Sequence, residues 1–366
     1  MIAMKIIHFH PDPRMAAKFI GPLMFAEQQA GYLTVLVCSQ ERSEDDPIII
    51  PFDLSISNFF SLPLALWKIR SLLKMFCPDV VFSHNTKSAL IPLLVAWCVG
   101  VQVRVYFNHG VPYVGYKGII RLLLRGLELL NSFLATHVLT VSKDMLSLIS
   151  DINPNIKAEL ILNGSASGLD LQAFNLPQFS RADWRKSHGL RDDDLVVVFV
   201  GRPEKRKGFE FTLRLWVDHL YESNFKLVLC GSGETDVLKY LHSVPANVIC
   251  LGFVDNISDV LSCSDILILP SRHEGLSYAC LEAQASGAII VGSGIPGIRC
   301  VVNDGVNGFL LPIDDYRKYN EIIRKIHMDQ SFFVSIRQQA FKDVVKYSRK
   351  LFIPAYLYFI KHLLKK

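Results

Sequence analysis
Short runs of apolar, mostly β-branched residues alternate along the chain with longer stretches in which apolar positions recur at helical spacing. In the first half the runs fall at 5–10, 33–38, 80–83, 101–107 and 137–141, with helical patterns at 19–30 and 62–75. The second half repeats the plan, with runs at 195–200, 225–230, 248–251, 266–269 and 288–291 and helical patterns at 212–219, 236–241 and 277–286. Runs such as 195–200 and 266–269 are apolar at consecutive rather than alternate positions, so they suit strands buried on both faces. Such strands separated by helices form parallel sheets covered on both sides. The pattern therefore predicts an α/β chain of two doubly wound domains. The polar, Gly- and Ser-rich segment 163–170 is the expected boundary, giving one domain over 1–163 and another over 164–350. The aromatic-rich, amphipathic stretch from about 351 to 366 is expected to pack back on the first domain.

The most apolar stretch, 89–101, contains Pro92 and is followed by Gln102 and Arg104. It is shorter than the about 20 residues a membrane helix needs, so it reads as a buried helix followed by a strand. Lys5 interrupts the one early apolar stretch, and no signal peptide is expected. A soluble or peripheral cytoplasmic protein follows as the expectation. A length of 366 residues suits two domains, and 50% hydrophobic with 20% charged residues suits a packed core rather than disorder. A net charge of +5 is too mild to point to nucleic acid, though it leaves room for a local basic patch. The eight cysteines form no C-x-x-C pair and mostly lie in apolar runs, so they read as reduced, buried thiols rather than a zinc site or disulfide framework.

In open parallel sheets, ligands bind beyond the carboxyl ends of the strands. The loops 10–14, 83–87, 108–112, 201–208, 231–234 and 270–276 are thus the places to look for chemistry. In the last, Glu274 stands at the mouth, Gly275 lets backbone approach a ligand, and Leu276 and Ser277 lead into a helix whose first N–H groups suit a sugar diphosphate. Glu282 lies about one and a half turns further on, placed to hold a ribose. Alone, the two glutamates would read as a dipole-stabilised helix start and a solvated side chain. Arg202 and Lys207, in Gly201-Arg202-Pro203-Glu204-Lys205-Arg206-Lys207-Gly208, can neutralise the phosphates of a diphosphate leaving group. His109, before Gly110 and Pro112, follows a strand and can face a reacting sugar. Gly231 and Gly233 begin like a dinucleotide fingerprint, but Asp236 stands where the third glycine belongs. The segment reads as a tight turn beside a nucleotide base rather than a NAD site. Asp192, Asp193 and Asp194 precede a strand and so lie at the wrong end of a sheet for catalysis. His8 and His10 share one face of the first strand, where core packing is favoured over a metal site.

Together these motifs resemble the group-1 glycosyltransferases, family 4 of the sequence-based classification. The pair Glu274 and Glu282, with seven residues between them, resembles that family's E-x7-E motif. Gly201-Arg202 with Lys207-Gly208 resembles its diphosphate-binding segment, and 164–170 and 305–310 resemble its interdomain and D-G-x-x-G-x-L elements. The segments 83–87 and 109–112 resemble the subset acting on lipid-linked sugars. The first loop departs from the family, since Pro11-Asp12-Pro13-Arg14-Met15 replaces the usual double glycine.

The resemblance implies the GT-B fold, two Rossmann-like domains facing across a cleft. It also implies metal-independent transfer, with retention, of a sugar from a nucleotide diphosphate donor, UDP-linked rather than GDP-linked. The acceptor would be a lipid-linked saccharide in the assembly of O-antigen, capsule or a related polysaccharide. Glu274 would contact the donor sugar, Glu282 the ribose, Arg202 and Lys207 the diphosphate, and His109 the reacting centre. No cofactor is expected beyond the donor itself. A nucleotide-sugar epimerase and a catalytically silent nucleotide-sugar-binding subunit are the alternatives. Lys117, Arg121 and Arg125, spaced by four beside Ile119, Ile120, Leu122, Leu123 and Leu124, and the second basic apolar stretch Trp67-Lys68-Ile69-Arg70 with Lys74, predict contact with the cytoplasmic membrane surface.

Overall fold
The computed structural model describes residues 3–38, 49–51, 62–175, 180–222, 224–329 and 331–363. The chain forms two compact units, Met1–Gly168 with Arg349–Lys366, and Leu169–Ser348. The first holds a sheet of β1 (Lys5–His10), β2 (Leu33–Cys38), β3 (Ile49–Pro51), β4 (Val80–His84), β5 (Val103–Asn108), β6 (His137–Thr140) and β7 (Ala158–Leu160). Their order is β3-β2-β1-β4-β5-β6-β7, and every pairing is parallel. The second holds β8 (Leu195–Val200), β9 (Phe225–Cys230), β10 (Val248–Gly252), β11 (Ile266–Leu269), β12 (Ile289–Ser293) and β13 (Phe309–Leu311), ordered β10-β9-β8-β11-β12-β13 and again all parallel. Both sheets grow outward from their first strand and then cross back over it. Their topological switch points lie between β1 and β4 and between β8 and β11, where the crevice for a ligand opens at the strand ends.

The apolar runs do what two-sided burial requires. Val196, Val197, Val198 and Phe199 of β8 are all fully buried. Val197 and Phe199 join Leu227, Leu229, Ile266 and Ile268 in a core with Phe211, Leu215 and Trp216 of the helix Phe209–His219 and Tyr319 and Ile323 of the helix Tyr316–Met328. Successive residues of a strand point to opposite faces, so Val196 and Val198 fill the other side. In the first unit Ile7, Phe9, Val35, Val37 and Val81 form the corresponding core against Ile69 and Leu73 of the helix Leu62–Phe76.

Local departures from the sequence pattern have local causes. The helix expected over 19–30 is Gly21–Gln29, with Pro22 in its first turn where a missing N–H costs nothing, and a further helix, Pro13–Phe19, precedes it. The helix expected over 236–241 is a single turn, Glu234–Val237. The strands β3, β7 and β13 each have only three residues, too few to show an apolar run. The helix Arg349–Leu363 belongs to the first unit and packs on Gly21–Gln29, with the buried Tyr356 hydroxyl donating to Glu27 at 2.6 Å. Residues 364–366 of the stretch expected there lie outside the described residues.

The helix Gly118–Leu134 is amphipathic in the reverse sense. It buries Glu128, Asn131 and Ser132 with only Leu124 and Leu134 beside them, while Ile119, Ile120, Leu122, Leu123 and Phe133 are exposed. Among the described residues no helix is long and apolar enough to cross a membrane.

Candidate functional site
At the switch point of the second sheet, β8 leads into the loop carrying Lys207, and β11 into the loop carrying Glu274. Gly208 ends the first loop with φ +75°, and a Cβ there would stand 2.2 Å from the Pro270 carbonyl oxygen, so only glycine lets the loops meet. Backbone and side chain then join them. The Arg272 N–H donates to the Arg206 carbonyl at 2.8 Å, and Arg206 Nη1 donates to the His273 carbonyl at 3.2 Å. The buried Glu274 carboxylate accepts from Lys207 Nζ at 2.6 Å and from Ser271 Oγ at 2.8 Å. Two donors fix its orientation and leave its second oxygen, Oε2, for a ligand hydroxyl. Gly297 presses on the same loop from behind, since a Cβ there would lie 2.5 Å from the Glu274 carbonyl oxygen.

The other expected residues of this unit are arranged less uniformly. Ser277 caps the helix Tyr278–Ser286, its hydroxyl accepting from the Cys280 N–H, and its own N–H donates to the Gly297 carbonyl. Two N–H groups of that helix start are thus already occupied. Leu276 and Glu282 are both buried, Glu282 within the helix. Arg202 does not join the Lys207–Glu274 pair. Its side chain is 70% exposed and pairs with Glu204 at 3.1 Å. Gly231, at φ +90°, brings its backbone against Gly201, where a Cβ would meet the carbonyl oxygen at 2.6 Å. Gly233 precedes the short helix, its N–H held by Asp236 at 3.1 Å. Asp194 lies at the opposite end of β8, where it accepts from the Arg191 backbone N–H at 2.9 Å.

The first unit's switch point gathers histidines. His8 and His10 come from β1, His84 ends β4, and His109 follows β5. His8 stacks on Phe82 with ring centroids 4.8 Å apart. Its Nε2 meets the Glu27 carboxylate at 3.1 Å, and its Nδ1 meets His84 Nε2 at 3.1 Å. His84 Nδ1 lies 2.9 Å from His109 Nε2, so an unbroken chain runs from Tyr356 through Glu27, His8 and His84 to His109. His10 stands beside it, its Nε2 accepting from Asn85 Nδ2 at 2.9 Å. Asn85 adopts φ +66°, a strained conformation of the kind that concentrates at functional sites. Burial lowers the pKa of His84, and the neighbouring histidines lower it further. Burial, then the charge of His10, holds His109 at about 3, and burial holds His10 at about 4. His10, His84 and His109 are therefore neutral at physiological pH. Among the described residues no group of His, Cys, Asp and Glu is set to hold a metal ion.

A second buried network braces the His109 turn. Glu128 accepts from Thr86 Oγ1 at 2.6 Å, Tyr106 OH at 2.7 Å and Asn108 Nδ2 at 3.1 Å, and Asn108 Oδ1 accepts from the Gly110 N–H at 2.9 Å. Burial pushes the Glu128 pKa up to about 7 against the pull of its three donors. Sequence reasoning passed over Glu27, Tyr356 and Glu128. Each lies within a helix, where a single polar side chain gives no sign of which face will be buried.

Residues 180–343 match the sequence model described as glycosyl transferases group 1. An uncharacterized glycosyltransferase of Methanocaldococcus jannaschii, MJ1607, is 30% identical over 235 residues, which cover 62% of this chain and 60% of that protein. The chain thus spans less than two thirds of that relative's length. The UDP-Gal:alpha-D-GlcNAc-diphosphoundecaprenol alpha-1,3-galactosyltransferase of Escherichia coli is 27% identical over 313 residues, 79% of each chain. Among solved structures, HepE of Anabaena in complex with UDP and glucose superposes with a TM-score of 0.81 at 18% identity, over 98% of this chain and 99% of that one. Both parallel sheets are accounted for by that fold, the GT-B pair of Rossmann-like domains. Residues 180–343, all within the second unit, are thus similar to the group-1 glycosyl transferases, and the chain has the GT-B fold of the solved structures it matches.

Proposed function
We propose that the protein transfers a sugar from a UDP-linked donor, with retention at the anomeric carbon and without a metal, to a lipid-linked saccharide in polysaccharide assembly. The observation that carries this reading is the Lys207–Glu274 pair at the switch point of the second sheet. It offers a cation for the departing diphosphate and, a bond away, an oriented carboxylate for the hydroxyls of the sugar being moved. The exposed Arg202 guanidinium is free to swing from Glu204 to a phosphate, and Glu282 would hold the ribose. Positive charge supplied by Lys207, Arg202 and the helix start near Ser277 does the work a metal ion does elsewhere. His109, neutral at physiological pH, would line the acceptor side.

The reversed helix Gly118–Leu134 supports a lipid-bound acceptor. Its bare apolar face is flanked by the exposed Lys117, Arg121 and Arg125, the chemistry that suits an anionic bilayer surface. The relative from Escherichia coli is named for a diphosphoundecaprenol acceptor, which accords with this reading. The test is a thermal-shift screen over nucleotide sugars, since a bound donor stabilises the native state by mass action. The stabilising donor is then incubated in EDTA with a polyprenyl-diphosphate saccharide. The expected result is stabilisation by UDP-sugars and a longer, retained-anomer saccharide. A free epimer of the donor would establish the epimerase instead, and donor binding without turnover the silent subunit.

A further inference from the structure
The chain Tyr356–Glu27–His8–His84–His109 has a direction. Glu27 is fully buried, and a carboxylate has lone pairs but no proton to give, so the His8 nitrogen facing it, Nε2, carries the hydrogen. With a single N–H on His8 already turned to Glu27, His8 Nδ1 faces His84 as an acceptor and the hydrogen between them sits on His84 Nε2, the arrangement in which every link of the chain has one donor and one acceptor. The same logic makes His84 Nδ1 an acceptor and puts the next hydrogen on His109 Nε2. The last atom, His109 Nδ1, is left with a lone pair, and among the described residues nothing hydrogen-bonds it. His10 stands outside this sequence, because its two nitrogens are engaged by Asn85 and by the Asp12 backbone.

We propose that Glu27, His8 and His84 are positioning residues that lock His109 in its Nε2–H form, so that Nδ1 accepts a hydrogen bond from a substrate hydroxyl. The inference rests on the reading that His109 faces substrate. It adds the chemical class that this end of the protein selects: a bare ring nitrogen accepts from a sugar hydroxyl and repels a phosphate oxygen. The diphosphate is thereby left to the cations of the second unit. Tyr356 keeps Glu27 in register, since burial and the neighbouring carboxylate raise the Tyr356 pKa and keep its hydroxyl a donor.

The experiment is long-range proton–nitrogen NMR of the full chain labelled with nitrogen-15 in histidine. At pH 7, His8, His84 and His109 are expected in the Nε2–H form. In Glu27→Gln the Tyr356 hydroxyl donates to the amide oxygen, so the NH2 faces His8 and the polarity of the chain reverses, putting the hydrogen of His109 on Nδ1. With a turned-over donor, kcat should then fall on the order of a hundredfold while donor KM stays within about twofold, as for a lost acceptor rather than a lost binding site. His84→Leu cuts the chain and should leave His109 in a mixture of both forms. A wild-type His109 protonated on Nδ1, or on both nitrogens, at pH 7 overturns the proposal, and that spectrum decides even if Glu27→Gln does not fold. An unchanged His109 signal in folded Glu27→Gln overturns it too. If the tautomers are as expected but wild type turns over no nucleotide sugar, the transfer reading fails while the locking of His109 by Glu27, His8 and His84 stands.

Discussion

Acidification should unfold this protein through its buried histidines, and the sign and size can be worked out. His10 and His109 are held at about 4 and about 3 in the folded chain against 6.5 for a free histidine, and burial lowers His84 and His273 as well. In the window between pH 6.5 and about 4, His10, His84 and His109 bind a proton only when unfolded, so each removes stability as the pH falls, and His273 acts in the same sense. Glu128 runs the other way. Its folded pKa is raised to about 7 from 4.5, so between those values it carries a proton only when folded. Three groups with a smaller share from His273, against one, leave a net uptake of about two protons on unfolding near pH 5.8. That is roughly 3 kcal/mol of stability lost per pH unit, a large share of the 5–15 kcal/mol of a typical domain. The assay is proton uptake on urea unfolding at pH 5.8, with Tm followed from pH 7 to 5 by circular dichroism. His10→Gln should lower the uptake by about one proton. Zero or negative uptake in the wild type, or no change in His10→Gln, would refute the reasoning.

Other expectations concern the second unit and the exposed helix. Gly297→Ala and Gly287→Ala both put a side chain at positive φ, but only the first drives a Cβ into the backbone of Glu274. Both should lose about 1 kcal/mol or more, while in a transfer assay only Gly297→Ala should lose kcat as well. Lys207→Met leaves the Glu274 carboxylate buried and uncompensated, at a cost of about 3 kcal/mol; adding Glu274→Gln should restore Tm without restoring turnover. Glu274→Ala should chiefly lower kcat and Glu282→Ala chiefly raise donor KM, a split that steady-state kinetics reads directly. The wild type should sediment with anionic liposomes and release in high salt, and the Arg121→Glu/Arg125→Glu double variant should sediment poorly while binding donor normally.

The sheets were legible because burial on both faces leaves a mark that needs no partner to be read. Val196 to Phe199, or Ile266 to Leu269, are apolar at every step, and that implies parallel strands with helices on both sides. What escaped was set by tertiary contact. β7 is Ala-Glu-Leu, which acquires its strand geometry from pairing with β6 rather than from its own composition. The strand-end rule brought the loops of Lys207 and Glu274 to one edge, yet their 2.6 Å ion pair, and the turn of Arg202 toward Glu204 instead, depend on loop geometry that a motif does not encode. His8 read as core, and it is buried; its role as a link between Glu27 and His84 arises from two residues far along the chain. The helix Gly118–Leu134 misleads any rule that buries leucine, since it sets Glu128 and Asn131 inward and Leu122, Leu123, Leu129 and Leu130 out.

The route of the chain between units carries a consequence in time. Leu169 bridges Ser348 across the base of the second unit, and Gly168 lies against the backbone of Arg349 in the first, so the second unit is in effect one long insertion in the first. On the ribosome, at about 5–20 residues per second, the segment Leu169–Ser348 takes roughly 10–40 s to emerge. The sheet of the first unit can form before that interval begins, but Glu27 then waits for Tyr356, which lies 329 positions later. The second unit, continuous in sequence, can fold to completion while the first still has one flank of its Gly21–Gln29 helix uncovered. During synthesis that flank is the surface on which a chaperone has longest to act.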